Sequence, residues 1–290
     1  MVAQTAGRVL MPEPSVDVSQ AAPPMQSVLS RAASEGGFAL ASLAAMLLAH
    51  YAALFPHEYA HSFMAYALGY KSNPCIIHLG GTSLANLLLL TEANEHVDYA
   101  PIFAAGAGWA VALIGFAGPG IGNGAMYILS LLLLRMRRVR ESTALLMLVF
   151  WFNLMNAGNF YDYVPIRTFA RNGDMGHITE GLGMPEWLGL IVFGIPTAVA
   201  LWWLFAHTLP LALARLAPHS AFRRGLIVTL SVLVVFGFFG LAGWRGYGAS
   251  SHALSLASLA LIPVMLVACW PERRWMLRRW QGVRDAPAKR

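Results

Sequence analysis

The stretch that most constrains this chain is FALASLAAMLLAHYAALF, residues 38–55, eighteen residues without an acidic or basic side chain other than His50. Coiled as a helix at 1.5 Å per residue it is roughly as long as a bilayer's hydrocarbon core is thick. It does not end in turn residues. It runs into Pro56-His57-Glu58-Tyr59-Ala60-His61-Ser62-Phe63. An ionisable group inside hydrocarbon costs roughly 2.5–3.5 kcal/mol even on lenient insertion scales. Two histidines and a glutamate at the end of such a segment therefore need something that offsets the cost.

The rest of the chain has the same character. Of its 290 residues 57% are hydrophobic and 12% charged, against about 25% charged in soluble domains. This implies an all-α polytopic membrane protein. The net charge of +6 is read as basic loops on one side of a membrane and not as a nucleic-acid surface. Cys75 and Cys269 lie far apart, with neither zinc nor redox spacing. Residues 1–36 are rich in Ala, Pro, Ser and Gln and read as a disordered N-terminal tail.

About six spans are expected. The first covers 37–66, with a kink at Pro56. Residues 70–99 read as a β-like or re-entrant segment, with Gly80-Gly81 and CIIHL suggesting a strand or hairpin. Residues 100–135 make one net crossing, interrupted by GFAGPGIGNG. Further spans are expected over 142–160, 186–207, 225–244 and 252–270. The chain divides into a core of 37–180, additional transmembrane helices over 181–271, and a basic tail, 272–290.

On a helix His57 and His61 share one face, one turn apart. Glu58 is one step along, within reach of a water between them. This H-E-x-x-H arrangement supplies two ligands for Zn2+ and a general base, Glu58. A catalytic zinc takes a third protein ligand. Asp174, in RNGDMGHI, is the leading candidate and Asp162, in NFYDYVP, its rival. His177 is a ligand or, more simply, an outer-shell partner. His78 and His96 are read as ordinary interfacial histidines, and Arg167 and Arg171 as interfacial anchors.

With HEYAHSFMAYALGY inside an apolar span, the sequence resembles the site-2 protease family of intramembrane zinc metalloproteases. Ala65 and Gly69 stand where that family's first motif has a small residue and a glycine. Gly80-Gly81 resembles the family's β-like segment. Phe116–Asn123, FAGPGIGN, resembles its Ala-Gly-Pro…Asn helix start, with residues 103–110 a second candidate. Asn153, then Pro165, then DMGH at 174–177 resembles its Asn…Pro…Asp-Gly-Gly-His region, in which the aspartate is the third ligand. Asp162 stands where the family has an asparagine, and Met175 replaces a glycine. The motif asparagine lies among Asn153, Asn156 and Asn159. The resemblance implies Zn2+ as cofactor, a transmembrane or membrane-anchored protein as substrate, and a site opening to the cytoplasm.

Counting basic loops places both tails in the cytoplasm of a cell-membrane protein, with the site at the opposite end. That conflicts with the family habit and is left open. Two other readings use the same residues: a zinc hydrolase of lipids or small amides, and a non-catalytic metal-binding scaffold or transporter.

Overall fold

The computed structural model describes residues 25–285. The protein is helical throughout, and among the described residues it contains no strand. Six helical segments are long and apolar enough to cross a membrane. We number the helices used below in chain order: α1 (Met25–Ala67), α2 (Leu84–Leu89), α3 (Gly108–Leu133), α4 (Thr143–Ile166), α5 (Asp174–Gly181), α6 (Glu186–Leu216), α7 (Ala221–Leu241), α8 (Gly248–Cys269) and α9 (Arg274–Asp285).

α4 is the centre of the bundle, with 67% of its most apolar window buried against 28% for α1. Phe150, Trp151 and Leu154 of α4 are buried on successive faces, and they share one cluster with residues of α1, α6 and α7. The ends of these spans are set by local chemistry. Ser142 Oγ accepts from the Leu145 amide at the start of α4, and Ser220 Oγ accepts from the Arg223 amide at the start of α7. Each hydroxyl closes one of the amides a helix start leaves open.

Several expectations are corrected. The tail does not extend to residue 36, because α1 already begins at Met25. The stretch SVLSRAASE carries no helix breaker, and Glu35 anchors it by accepting from Arg223 Nε at 2.7 Å and from Ser220 Oγ at 3.0 Å. The expected disorder of residues 1–24 falls outside the described residues, as do residues 286–290 of the basic tail. The described part of that tail forms α9. Met276 and Trp280, four apart and so on one face, are buried, and Trp280 Nε1 donates to Pro271 O. Pro56 lies inside an uninterrupted helix.

The expected strand near Gly80 is a single antiparallel bridge, His78 with Asn94. Its segment is held instead by side chains. Lys71 Nζ donates to the carbonyls of Ile76, Glu95 and His96. Asn86 Nδ2 donates to Leu79 O and Gly81 O. The orphan carbonyls at the end of α2 are taken by α1: His50 Nε2 donates to Leu89 O at 2.7 Å and Tyr51 Oη to Leu87 O at 2.6 Å. His50 lies seven residues before His57, about 10 Å along the helix. The segment thus leaves the end of α1, turns back alongside it to a depth beyond His57, and returns.

Candidate metal centre

Three chain segments meet near the C-terminal end of α1. His57 and His61 point from α1 toward a π-helical stretch of α3, Ala117–Asn123. Asp174 starts α5, whose backbone presses against α3. A β-carbon at Gly181 would overlap Gly108 O, and one at Gly115 would stand 3.1 Å from Asp174 O. Glycine at these crossings lets α5 approach closely enough to bring its first residue to the histidines.

The ligand geometry follows from the outer contacts. His57 Nδ1 lies 2.7 Å from Asn123 Oδ1, and His61 Nδ1 lies 2.6 Å from Ile114 O. Asn123 Nδ2 donates to Ala53 O and to Asn156 Oδ1, each at 3.1 Å, which orients its amide oxygen toward His57. Both Nδ1 atoms therefore carry the proton, and both Nε2 atoms present lone pairs. Those two Nε2 atoms are 3.0 Å apart. Asp174 Oδ2 lies 3.2 Å from one and 3.3 Å from the other. His57 and His61 are buried, Asp174 is nearly so, and Asp174 Oδ2 has no hydrogen bond.

Three buried acceptor atoms at such separations repel one another unless a cation lies between them. Tetrahedral zinc with ligands at about 2.0–2.2 Å places its ligand atoms roughly 3.3 Å apart. The observed triangle matches that spacing, and two imidazoles with one carboxylate are a donor set that zinc accepts. Among the described residues these three are the group able to hold a metal ion. Gly118 faces them, and a β-carbon there would run into His61 Nε2 and His57 Cε1. Glycine at this position lets α3 pack directly against the two imidazoles.

Glu58 is buried beside the pair. Tyr99 stands across from it, donating to Glu95 Oε1 at 2.6 Å. Burial pushes its phenol pKa far up, and the carboxylates of Glu95, Asp174 and Glu58 push it further. The site is thus buried and rich in carboxylates.

The other candidates fall elsewhere. Asp162 is not among the converging ligand atoms; its carboxylate forms an ion pair with Arg167, Oδ1 lying 2.6 Å from Nε and Oδ2 accepting from Nη2 at 2.7 Å. Arg167 is accordingly a half-buried ion-pair partner and not a solvated anchor, while Arg171 is exposed. His177 stacks on Tyr99 with ring centroids 3.9 Å apart, and burial pulls its pKa down. It is not among the three converging ligand atoms. Asn153 Nδ2 donates to Ser130 Oγ and Asn159 Nδ2 to Met155 O, so neither supports the histidines; Asn156 does, through Asn123. Of the two stretches proposed for the helix start, FAGPGIGN faces the histidines. His78 and His96 belong to the turned-back segment.

These features define a polytopic membrane protein with a preformed two-histidine, one-carboxylate centre inside its bundle. No protein-family model, curated protein or solved structure matches the chain.

Proposed function

We propose that this protein is a zinc-dependent intramembrane protease of the site-2 protease kind. The observation that carries the reading is the convergence of His57 Nε2, His61 Nε2 and Asp174 Oδ2 on one point within a bundle of spanning helices, with Glu58 beside it.

His57, His61 and Asp174 would hold Zn2+, which would supply Lewis acidity for the substrate carbonyl and lower the pKa of water toward about 7. Glu58 takes one proton from the attacking water as its oxygen bonds to the carbonyl carbon. It then delivers that proton to the amide nitrogen as the C–N bond breaks, leaving a new carboxyl group and a new amine. Asn123 and the Ile114 carbonyl keep each Nδ1 proton in place, so both Nε2 atoms stay free to bind.

The substrate class is a transmembrane or membrane-anchored protein segment, because the site lies within the depth of α1. A helical substrate must unwind locally, since its carbonyls are otherwise hydrogen-bonded. Arg135, Arg137, Arg138 and Arg140, with Arg215, Arg223, Arg224 and α9, lie on loops and ends opposite the site. By the positive-inside rule that face, with both tails, is cytoplasmic in a cell membrane.

The test is Glu58→Gln in the full chain. Zinc content equal to wild type with loss of proteolysis, about 10²–10⁴-fold, is the expected result. Unchanged biological function in Glu58→Gln marks a scaffold or transporter. Products in the lipid fraction instead of cleaved protein mark a lipid hydrolase.

A further inference from the structure

We infer that Tyr163 is a further catalytic residue, whose phenol donates a hydrogen bond to the substrate carbonyl oxygen as negative charge builds on it. The inference rests on the protease reading above. Nothing in the spacing of the sequence pointed to this residue.

Tyr163 sits at the end of α4, one residue before the chain kinks at Val164, whose backbone is extended. Its Oη lies 2.9 Å from His57 Nε2, one of the three atoms of the triangle. Its ring lies nearly parallel to the His57 imidazole and offset from it, with centroids 5.2 Å apart and 9° between the planes. The Arg167 guanidinium stands 4.4 Å from the centroid of the Tyr163 ring. Arg167 is itself fixed by Asp162 and by a 3.1 Å hydrogen bond to Tyr247 Oη. The ring thus contacts both the imidazole and the guanidinium, and Tyr163 is only 9% exposed. A buried hydroxyl held this way keeps its direction without cost at the moment of reaction.

The acceptor of that hydroxyl is what assigns the role. His57 Nδ1 is committed to Asn123 Oδ1, so the phenol's partner in the structure is the His57 Nε2 lone pair. Once a cation takes that lone pair, it can no longer accept from Tyr163. The buried O–H then needs another acceptor at the same place, and an unmade buried hydrogen bond costs about 1–3 kcal/mol. The oxygen of an incoming peptide carbonyl meets that need. It does so more strongly as the carbonyl oxygen gains charge, which is the condition for lowering a barrier and not merely binding substrate. Tyr163 keeps its proton throughout; it donates a hydrogen bond and transfers nothing.

The experiment compares Tyr163→Phe with wild type as purified full-length protein. Phenylalanine preserves the stacking on His57, so thermal unfolding should be nearly unchanged. Three quantities are read: metal per chain, kcat and KM on an internally quenched apolar peptide, and calorimetric affinity for a phosphinate of the same peptide, whose anionic tetrahedral group imitates the charged oxygen. The expected result is unchanged metal content, kcat lower by about 10²-fold at constant KM, and phosphinate binding weakened by a similar factor. Wild-type kcat and phosphinate affinity in Tyr163→Phe would overturn the assignment. Metal loss would overturn it as well, making Tyr163 part of the ion's support. A wild-type protein that binds zinc but neither cleaves the peptide nor binds the phosphinate sinks the protease reading itself, and that outcome is visible before any variant is compared.

Discussion

Replacing Asn123 by alanine removes one side chain that touches three others. Its Oδ1 accepts from His57 Nδ1 at 2.7 Å, and its Nδ2 donates to Ala53 O and Asn156 Oδ1. Asn123 is fully buried, so water does not replace these partners. The His57 Nδ1–H left unpaired costs about 1–3 kcal/mol. The imidazole can then rotate, or shift its proton to Nε2, which removes the lone pair facing Asp174. Losing such an outer partner typically weakens metal binding by about 10–100-fold, or roughly 1.4–2.7 kcal/mol at 1.36 kcal/mol per decade. The assay is competition for zinc against a chelating dye, with wild type, Asn123→Ala and Asn153→Ala in the same detergent. Asn153 is equally buried and also a donor, but its partner is Ser130. It should lose stability and keep zinc affinity. Equal zinc affinity in Asn123→Ala and wild type, or an equal loss in Asn153→Ala, would refute the idea that His57 is set by its outer contact.

Three further outcomes follow from the geometry. Asp174→Ala should lose zinc measured by atomic emission, whereas Asp162→Ala should keep it and unfold at a lower temperature. The latter strands the Arg167 cation, a change that costs about 3–5 kcal/mol when a buried pair is broken. Gly118→Ala should abolish zinc binding with helix content intact by circular dichroism, because its methyl group lands on His61 Nε2. His50→Phe combined with Tyr51→Phe should speed hydrogen exchange across 84–94 while leaving the rest of α1 protected. Unchanged exchange there would mean α2 is held by something other than these two side chains.

How much of this was legible in the sequence depended on range. His57 and His61 lie one helical turn apart, so their spacing alone set them on one face, with Glu58 one step along. Asp174 was favoured by resemblance, and no local pattern separates it from Asp162. The separation comes from Arg167, five residues beyond Asp162 across the kink at Val164, which claims its carboxylate. Asn153, Asn156 and Asn159 occur at intervals of three, and a helix viewed alone does not say which of them faces Asn123. Tyr163 reaches His57 across two spans and carries no spacing signal. The Ala-rich stretch after Met25 looked like a tail because its composition is weakly apolar. Its helicity comes from continuation of α1 and from the Glu35–Arg223 pair, a contact that only the folded chain reveals. α9 was hidden for a related reason: its arginines dominate the composition, while two side chains one turn apart decide its packing.

The position of α3 between α1 and α5 has a mechanical consequence. One helix offers a carbonyl to His61, an amide to His57 and a glycine seat to α5, so an ion at their meeting point works as a clasp joining stretches far apart in the chain. If the site binds a metal as proposed, the resistance of the bundle to heat should rise with the logarithm of free metal over its dissociation constant. On the metal reading proposed above, removing the ion should free Asp174 at the start of α5 from the α1 histidines first and leave the buried centre around Trp151 standing.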